Sequence, residues 1–173
     1  LMKRFLKKLL SLSIVMILLI LLLIIFIKAD HKNRIAKQTK YLPEFSFINL
    51  LHENNFSRDS LLRGKSCLIL YFNSECEHCQ KEATQIHGDL YFFSDYQILM
   101  VSSESKESIL AFKKKYQLDG PFIKFLQDQK FIFEDVFGAT TVPASFIYNK
   151  DKLLIKRFYG EVKTSALLHY LAY

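Results

Sequence analysis

The apolar and polar positions divide the chain into two unlike parts. From Leu9 to Ile27 nineteen residues pass without a charge, broken only by Ser11 and Ser13. As a helix rising about 1.5 Å per residue this run reaches about 28 Å, close to the hydrocarbon thickness of a bilayer. Residues 28–40 are polar and basic, a linker or a helical extension of that run, and Pro43 marks the entry to a folded part over 41–173. There the pattern changes character. Phe45, Phe47 and the run Ile48–Leu51 predict a first strand, and Ser57–Arg63 a short helix closed by Gly64. Cys67–Phe72 is a continuous apolar run of strand length, of the kind buried on both faces in a central parallel sheet. A helix is predicted from about Cys76 to Leu90, a strand over Gln97–Ser102, and a helix over Lys106–Tyr116 with Ile109, Leu110 and Phe112 inward. Phe122–Leu126 is a further apolar stretch, and Phe131, Phe133, Val136 and Phe137 form one helical face. Ala144–Tyr148 and Lys152–Tyr159 flank Asn149-Lys-Asp151 as a hairpin, and a helix over Lys163–Tyr170 closes the chain. Strands alternating with helices and ending in a hairpin and a helix give an α/β sandwich with a mixed sheet.

Charge sharpens the division. The formal net charge is +7, yet residues 1–40 hold nine Lys or Arg against one acid, Asp30, and residues 41–173 hold fifteen basic against sixteen acidic residues. The excess positive charge therefore flanks the apolar run and belongs to membrane topology, with no nucleic-acid face on the near-neutral folded part. The run exceeds the roughly 7–15 apolar residues of a cleaved signal peptide. Its only small-residue cleavage candidate, Ala29, follows Ile27 and Lys28, and no Cys follows the run for lipid attachment. The expectation is an uncleaved signal anchor over 9–27 in the lipid bilayer, after a basic cytoplasmic tail of residues 1–8. Basic residues before the span (Lys3, Arg4, Lys7, Lys8) and after it (Lys28, Lys32, Arg34, Lys37, Lys40) nearly balance. The short tail mildly favours an inside N-terminus.

The chemistry lies in Phe72-Asn-Ser-Glu-Cys76-Glu-His-Cys79. Two cysteines separated by two residues, after a buried strand and at a helix start, form a redox constellation. At that start unpaired backbone N–H groups and the helix dipole stabilise an anion on the first cysteine, Cys76. Cys79, one turn along, is placed to attack and resolve a mixed disulfide. A structural zinc site would need two further ligands, and the only other cysteine, Cys67, lies within the strand as a small buried apolar residue.

On these residues the chain resembles the thioredoxin superfamily, and within it the TlpA-like branch of anchored extracytoplasmic reductases with a redoxin (AhpC/TSA-like) domain, some of which serve cytochrome c maturation. The resemblance covers about residues 41–172. It runs through Leu42-Pro-Glu-Phe45, Leu62-Arg-Gly-Lys65, Cys76-Glu-His-Cys79-Gln-Lys-Glu82 and Phe137-Gly-Ala-Thr-Thr-Val-Pro143. It implies a thioredoxin-like sandwich, a mixed central sheet flanked by helices after an N-terminal transmembrane helix. It further implies a cis Pro143 facing the dithiol, with Val142 offering backbone groups to a substrate segment. Glu82 matches the branch's active-site Glu, a candidate proton relay to Cys79, against the plain alternative of an exposed helix Glu. Leu70 stands where ordinary thioredoxins carry a buried Asp, which leaves Glu82 the better candidate.

His78 precedes the second cysteine, as in strongly oxidising periplasmic disulfide donors, where an imidazole tunes the Cys76 thiolate. Glu75 and Glu77 bracket Cys76 and oppose an anion there. The chain has no Trp and puts Glu75 where the family usually has one. The expectation is a membrane-anchored protein-disulfide reductase in the bacterial cytoplasmic membrane, its C-terminal domain facing the periplasm or cell exterior. Its substrates would be protein disulfides or dithiols and its upstream partner a membrane electron donor. It would need no cofactor or metal beyond the redox-active Cys76–Cys79 pair. Two other readings stand beside it. A peroxiredoxin-like thiol peroxidase would want Thr or Ser three residues before the reactive cysteine, where Asn73 stands. A thioredoxin-like copper carrier would use Cys76, Cys79 and His78 as soft ligands, but that relative spaces its cysteines by three residues and adds a distant His.

Overall fold

In a computed structural model of the chain, the structure describes the backbone of residues 2–173 and the side chains of residue 14 and residues 16–173. The chain falls into two compact units, Leu1–Lys37 and Gln38–Tyr173. The first consists of helix α1 (Met2–Gln38), which passes one residue into the second. Its described apolar side chains at Ile14 and from Met16 to Ile27 are all exposed. The expected anchor over 9–27 lies partly outside the described residues, at the side chains of 9–13 and 15. Among the described residues no helix is long and apolar enough to cross a membrane.

The second unit is a mixed α/β domain. Its elements are β1 (Ser46–Asn49), β2 (Asn54–Ser57), β3 (Cys67–Tyr71), α2 (Glu77–Gly88), β4 (Gln97–Ser102), α3 (Lys106–Lys115), β5 (Ile123–Gln127), α4 (Phe133–Phe137), β6 (Ala144–Tyr148), β7 (Leu154–Tyr159) and α5 (Thr164–Leu171). The seven strands run in the order β2-β1-β5-β4-β3-β6-β7. β3, β4 and β5 are parallel; β6 joins β3 antiparallel, and β1 joins β5 antiparallel. Such a sheet, with helices packed on it, matches the architecture implied by the sequence.

Side-chain alternation along β3 builds two cores. Leu68 and Leu70 face a cluster with Cys79, Ala83 and Ile86 of α2, Ile109 and Phe112 of α3, and Leu167 and Leu171 of α5. Cys67 and Ile69 face the opposite cluster, with Phe47, Phe133, Phe137 and Phe146. In that second core Phe133 stacks on Tyr71 at 4.2 Å and on Phe137 at 4.5 Å. Both faces of β3 are thus apolar, which is why its sequence shows no polar alternation. The domain's entry is tied to the hairpin: Leu42 N–H donates to Lys152 O, and the Tyr148 hydroxyl donates to Thr39 O.

Several local expectations are corrected. Ser57–Arg63 is not a helix: β2 occupies Asn54–Ser57 and a single 3₁₀ turn Arg58–Ser60 follows. Pairing decides this, because Phe56 lies opposite Phe47 and both are buried. β1 ends at Asn49, leaving Leu51 exposed in the turn. In α3 the buried stripe is Ile109 and Phe112; Leu110, rotated about 100° from Ile109, lies exposed. α4 starts at Phe133 and is short, and Phe131, which precedes it at φ 53, is exposed. α2 ends at Gly88, and Leu90–Phe93 form a separate 3₁₀ turn that buries Phe93.

Phe133 has no exposed surface and Tyr91 is 84% exposed. Phe133→Ala should therefore lower the unfolding free energy by about 3–5 kcal/mol. Tyr91→Ala should change it by about 0.5 kcal/mol or less. Urea denaturation of the full chain checks both.

Candidate active site

The site stands at the C-terminal end of β3. Leaving the strand, the chain makes an Asx turn: Asn73 Oδ1 accepts the Glu75 N–H at 2.9 Å, and Asn73 O accepts the Cys76 N–H at 3.2 Å. Glu104, in the loop after β4, fastens this turn from the side. Ser74 N–H donates to its Oε2 and Ser74 Oγ–H to its Oε1, both at 2.7 Å, and the Ser102 hydroxyl donates to Oε2 at 3.1 Å. Gln80 Nε2 donates to Ser74 O at 2.8 Å from the helix side. Cys76 is the N-cap residue of α2, and its carbonyl accepts from Gln80 N–H at 3.0 Å.

All three cysteines are free thiols. Cys76 is half-buried, and its Sγ–H points to Val142 O at 3.7 Å. The Val142–Pro143 peptide is cis, and Pro143 O accepts the N–H of Gly160, whose φ of +93° suits a residue without a Cβ. The dithiol, Val142 and Pro143 are thereby brought together. Cys79 is buried, and desolvation pushes its thiol well above the usual range. A hydrogen bond with the Cys76 sulfur and the nearby charges of Cys76 and Glu82 add to this, while an Asn73 backbone hydrogen bond opposes it.

Glu82 is fully buried, so it is not an exposed helix Glu. Its Oε1 accepts from the Ser145 hydroxyl at 3.4 Å, and Oε2 has no protein hydrogen-bond partner. Burial is the main force raising its pKa from 4.5 to about 8; the Ser145 bond opposes the rise and the charge of Glu161 adds to it. Ser145 lies on β6 directly opposite Leu70 of β3. His78 is exposed, and its Nδ1 pairs with Glu161 Oε2 at 3.0 Å rather than with a cysteine sulfur. Glu75 and Glu77 are exposed on either side of Cys76. Cys67 lies in the opposite core, where burial pushes its thiol up to about 12.

Sequence reasoning missed Glu104, Ser145 and Glu161. Glu104 carried a usable signal: the polar run Ser102-Ser-Glu-Ser105 ends the strand beside β3, and functional groups collect at the C-terminal ends of parallel strands. Ser145, inside an apolar strand, and Glu161, in a loop, carried none. Among the described residues no group of three or more His, Cys, Asp or Glu is placed to hold a metal ion.

Residues 39–157 match the profile of the AhpC/TSA family. The chain is 24% identical over 127 residues to the thiol-disulfide oxidoreductase ResA of Bacillus subtilis, covering 70% of this chain and 69% of that protein. Among solved structures it is similar to StoA from Bacillus subtilis, with a TM-score of 0.59, 18% identity and coverage of 76% of this chain and 98% of that one. It is also similar to a putative thioredoxin from Neisseria meningitidis, with a TM-score of 0.64, 25% identity and coverage of 78% and 89%. The fold is thioredoxin-like.

The unfolded chain releases the Glu82 proton near pH 4.5 and the folded chain near pH 8. Between those values the native state holds the extra proton, so stability falls as pH rises through the window. Glu82→Gln should abolish this fall and be more stable than the parent at pH 8.5, by on the order of 2–4 kcal/mol. Urea midpoints of the reduced parent and variant, compared from pH 5 to 9, measure the difference.

Proposed function

The chain belongs to the AhpC/TSA family, and from that premise we propose that it is a thiol–disulfide oxidoreductase acting on protein disulfides through Cys76 and Cys79. The observation that carries this reading is the pair of free thiols at the start of α2, Cys76 at the N-cap with its thiol 3.7 Å from the Val142 carbonyl and Cys79 buried behind it. The name of the ResA relative supports it. In the forward direction the Cys76 thiolate attacks one sulfur of a substrate disulfide, forming a mixed disulfide and releasing the other sulfur as a thiolate. Cys79 then gives up its proton and attacks Cys76, releasing the second substrate thiolate and leaving a Cys76–Cys79 disulfide. Two electrons pass to the substrate. The pair itself is the redox group, and no separate cofactor is invoked.

Each residue has a distinct part. Cys76 at the helix start is the nucleophile and Cys79 the resolving thiol. Glu82, with a pKa close to working pH, is the group to which Cys79 passes its proton. Val142 and Pro143 present the substrate segment, and His78 tunes the thiolate.

The exposed apolar side chains of α1, with the uncharged run over 9–27, support anchoring in the cytoplasmic membrane. In this proposal residues 1–8 face the cytoplasm, 28–40 link the anchor to the domain, and the domain faces the periplasm or exterior. A membrane electron donor re-reduces the pair there, for cytochrome c maturation or for envelope thiol homeostasis. A second reading, thiol peroxidase, is favoured by the family's name. Against it, Asn73 supplies no hydroxyl three residues before Cys76, and its Oδ1 is committed to the Glu75 N–H.

Cys76→Ser should lose disulfide exchange, and Cys79→Ser should accumulate mixed disulfides through Cys76. Full exchange by both variants would sink the mechanism, and rapid peroxide consumption by the parent would favour the peroxidase. A reduction potential below about −260 mV supports a reductase, and one near −120 mV a disulfide donor.

A further inference from the structure

Glu161 stands outside both sequence motifs, in the loop between β7 and α5, yet α2 holds both of its carboxylate oxygens. Oε2 lies 3.0 Å from His78 Nδ1, and Oε1 accepts from Gln85 Nε2 at 3.1 Å. His78, Glu82 and Gln85 are four and then three residues apart, so they lie along one stripe of the helix. The residue between the two partners of Glu161 is thus Glu82, turned inward to full burial while its neighbours on the stripe reach out. The Glu161 side chain is itself only 28% exposed, against 64% for His78.

We propose that Glu161 is a positioning residue that, clamped by His78 and Gln85 over the stripe carrying Glu82, governs proton exchange between Glu82 and Cys79. The proposal rests on the thiol–disulfide reading above. A fixed negative charge beside a buried carboxyl favours the protonated form of that carboxyl, and here it adds to the effect of burial. Glu82 then presents a neutral acid to the dithiol at rest. Its ionised form, reached once that proton has left to solvent, is a stronger base for the proton that Cys79 must lose. The clamp also links Glu82 to the surface.

The other groups around Glu82 do not duplicate this role. β6 offers the Ser145 hydroxyl, which favours the carboxylate, and β3 offers the apolar Leu70 beside it. The thiols of Cys76 and Cys79 precede it on its own side of the site. On α5, Thr164 hydrogen-bonds Asp89 at the far end of α2, and His169 stacks edge-on against Tyr170. On β7, Lys156 lies over the rings of Phe158 and Tyr170, and Arg157 acts on Tyr148.

The test is Glu161→Gln in the full chain, which is isosteric, keeps one acceptor oxygen for one of the two partners, puts an amide N–H2 in place of the other oxygen, and removes the charge. In the reduced protein, carbon-13 NMR of the Glu82 carboxyl should show its titration midpoint falling by about half a pH unit or more. The pH profile of mixed-disulfide resolution, followed by rapid quench, should move down with it, and Glu161→Asp should restore both. An unmoved Glu82 midpoint in folded Glu161→Gln protein overturns the proposal whatever the exchange assay gives. The titration needs no disulfide substrate. A moved midpoint alongside a failed exchange assay therefore supports the hold of Glu161 on Glu82 and counts against the thiol–disulfide reading alone.

Discussion

Burial of β3 on both faces is the constraint from which the rest of the site follows. Its residues Cys67 to Leu70 retain at most 2% of their surface, and both edges are bonded, to β4 on one side and β6 on the other. A slip of one residue would exchange the contents of the two cores, placing Leu68 and Leu70 among the aromatic rings around Phe133. The register is therefore rigidly set, and with it the point where the chain leaves the sheet. Everything placed there inherits that precision. The Asx turn at Asn73, the Glu104 carboxylate under Ser74 and the Gln80 amide above it then leave Cys76 little freedom.

The same burial shapes the site's acid–base character. Cys79 and Glu82 are neighbours on the inner face of α2, both withdrawn from water, and both hold their protons to higher pH than they would in solvent. The charge of Glu82 adds to the rise at Cys79, as a lesser cause than burial. Ser145 partly relieves the cost of a carboxylate there. Leu70, across the β3–β6 register from Ser145, keeps the surroundings apolar where a second acid would have split the titration further.

What the sequence made legible divides along physical lines. The buried parallel strands declared themselves as unbroken apolar runs, and the helix beginning at the dithiol by its position after one of them. The dithiol and the Val142-Pro143 pair were visible as local motifs. Position alone, though, could not say that Glu82 turns inward, because helical spacing fixes an angle while burial depends on what packs above it. β2 was hidden for a related reason. Asn54–Ser57 is polar and short, and it becomes a strand only because Phe56 finds Phe47 across the turn. Glu161 was illegible altogether, since a loop residue's partners are chosen by the docking of distant elements: His78 and Gln85 lie 83 and 76 positions away.

Cys67 gives the architecture one more meaning. It shares a strand with the approach to the dithiol, yet its side chain belongs to the core on the other side of the sheet from Cys79. A hydrogen-bonded layer of backbone separates the two sulfurs, and the Cys67 thiol holds its proton to a pH of about 12. The sheet thus acts as an insulator. A third sulfur can sit within the same small domain without joining the circuit, and a disulfide formed at the helix end has no internal rival to which it could migrate.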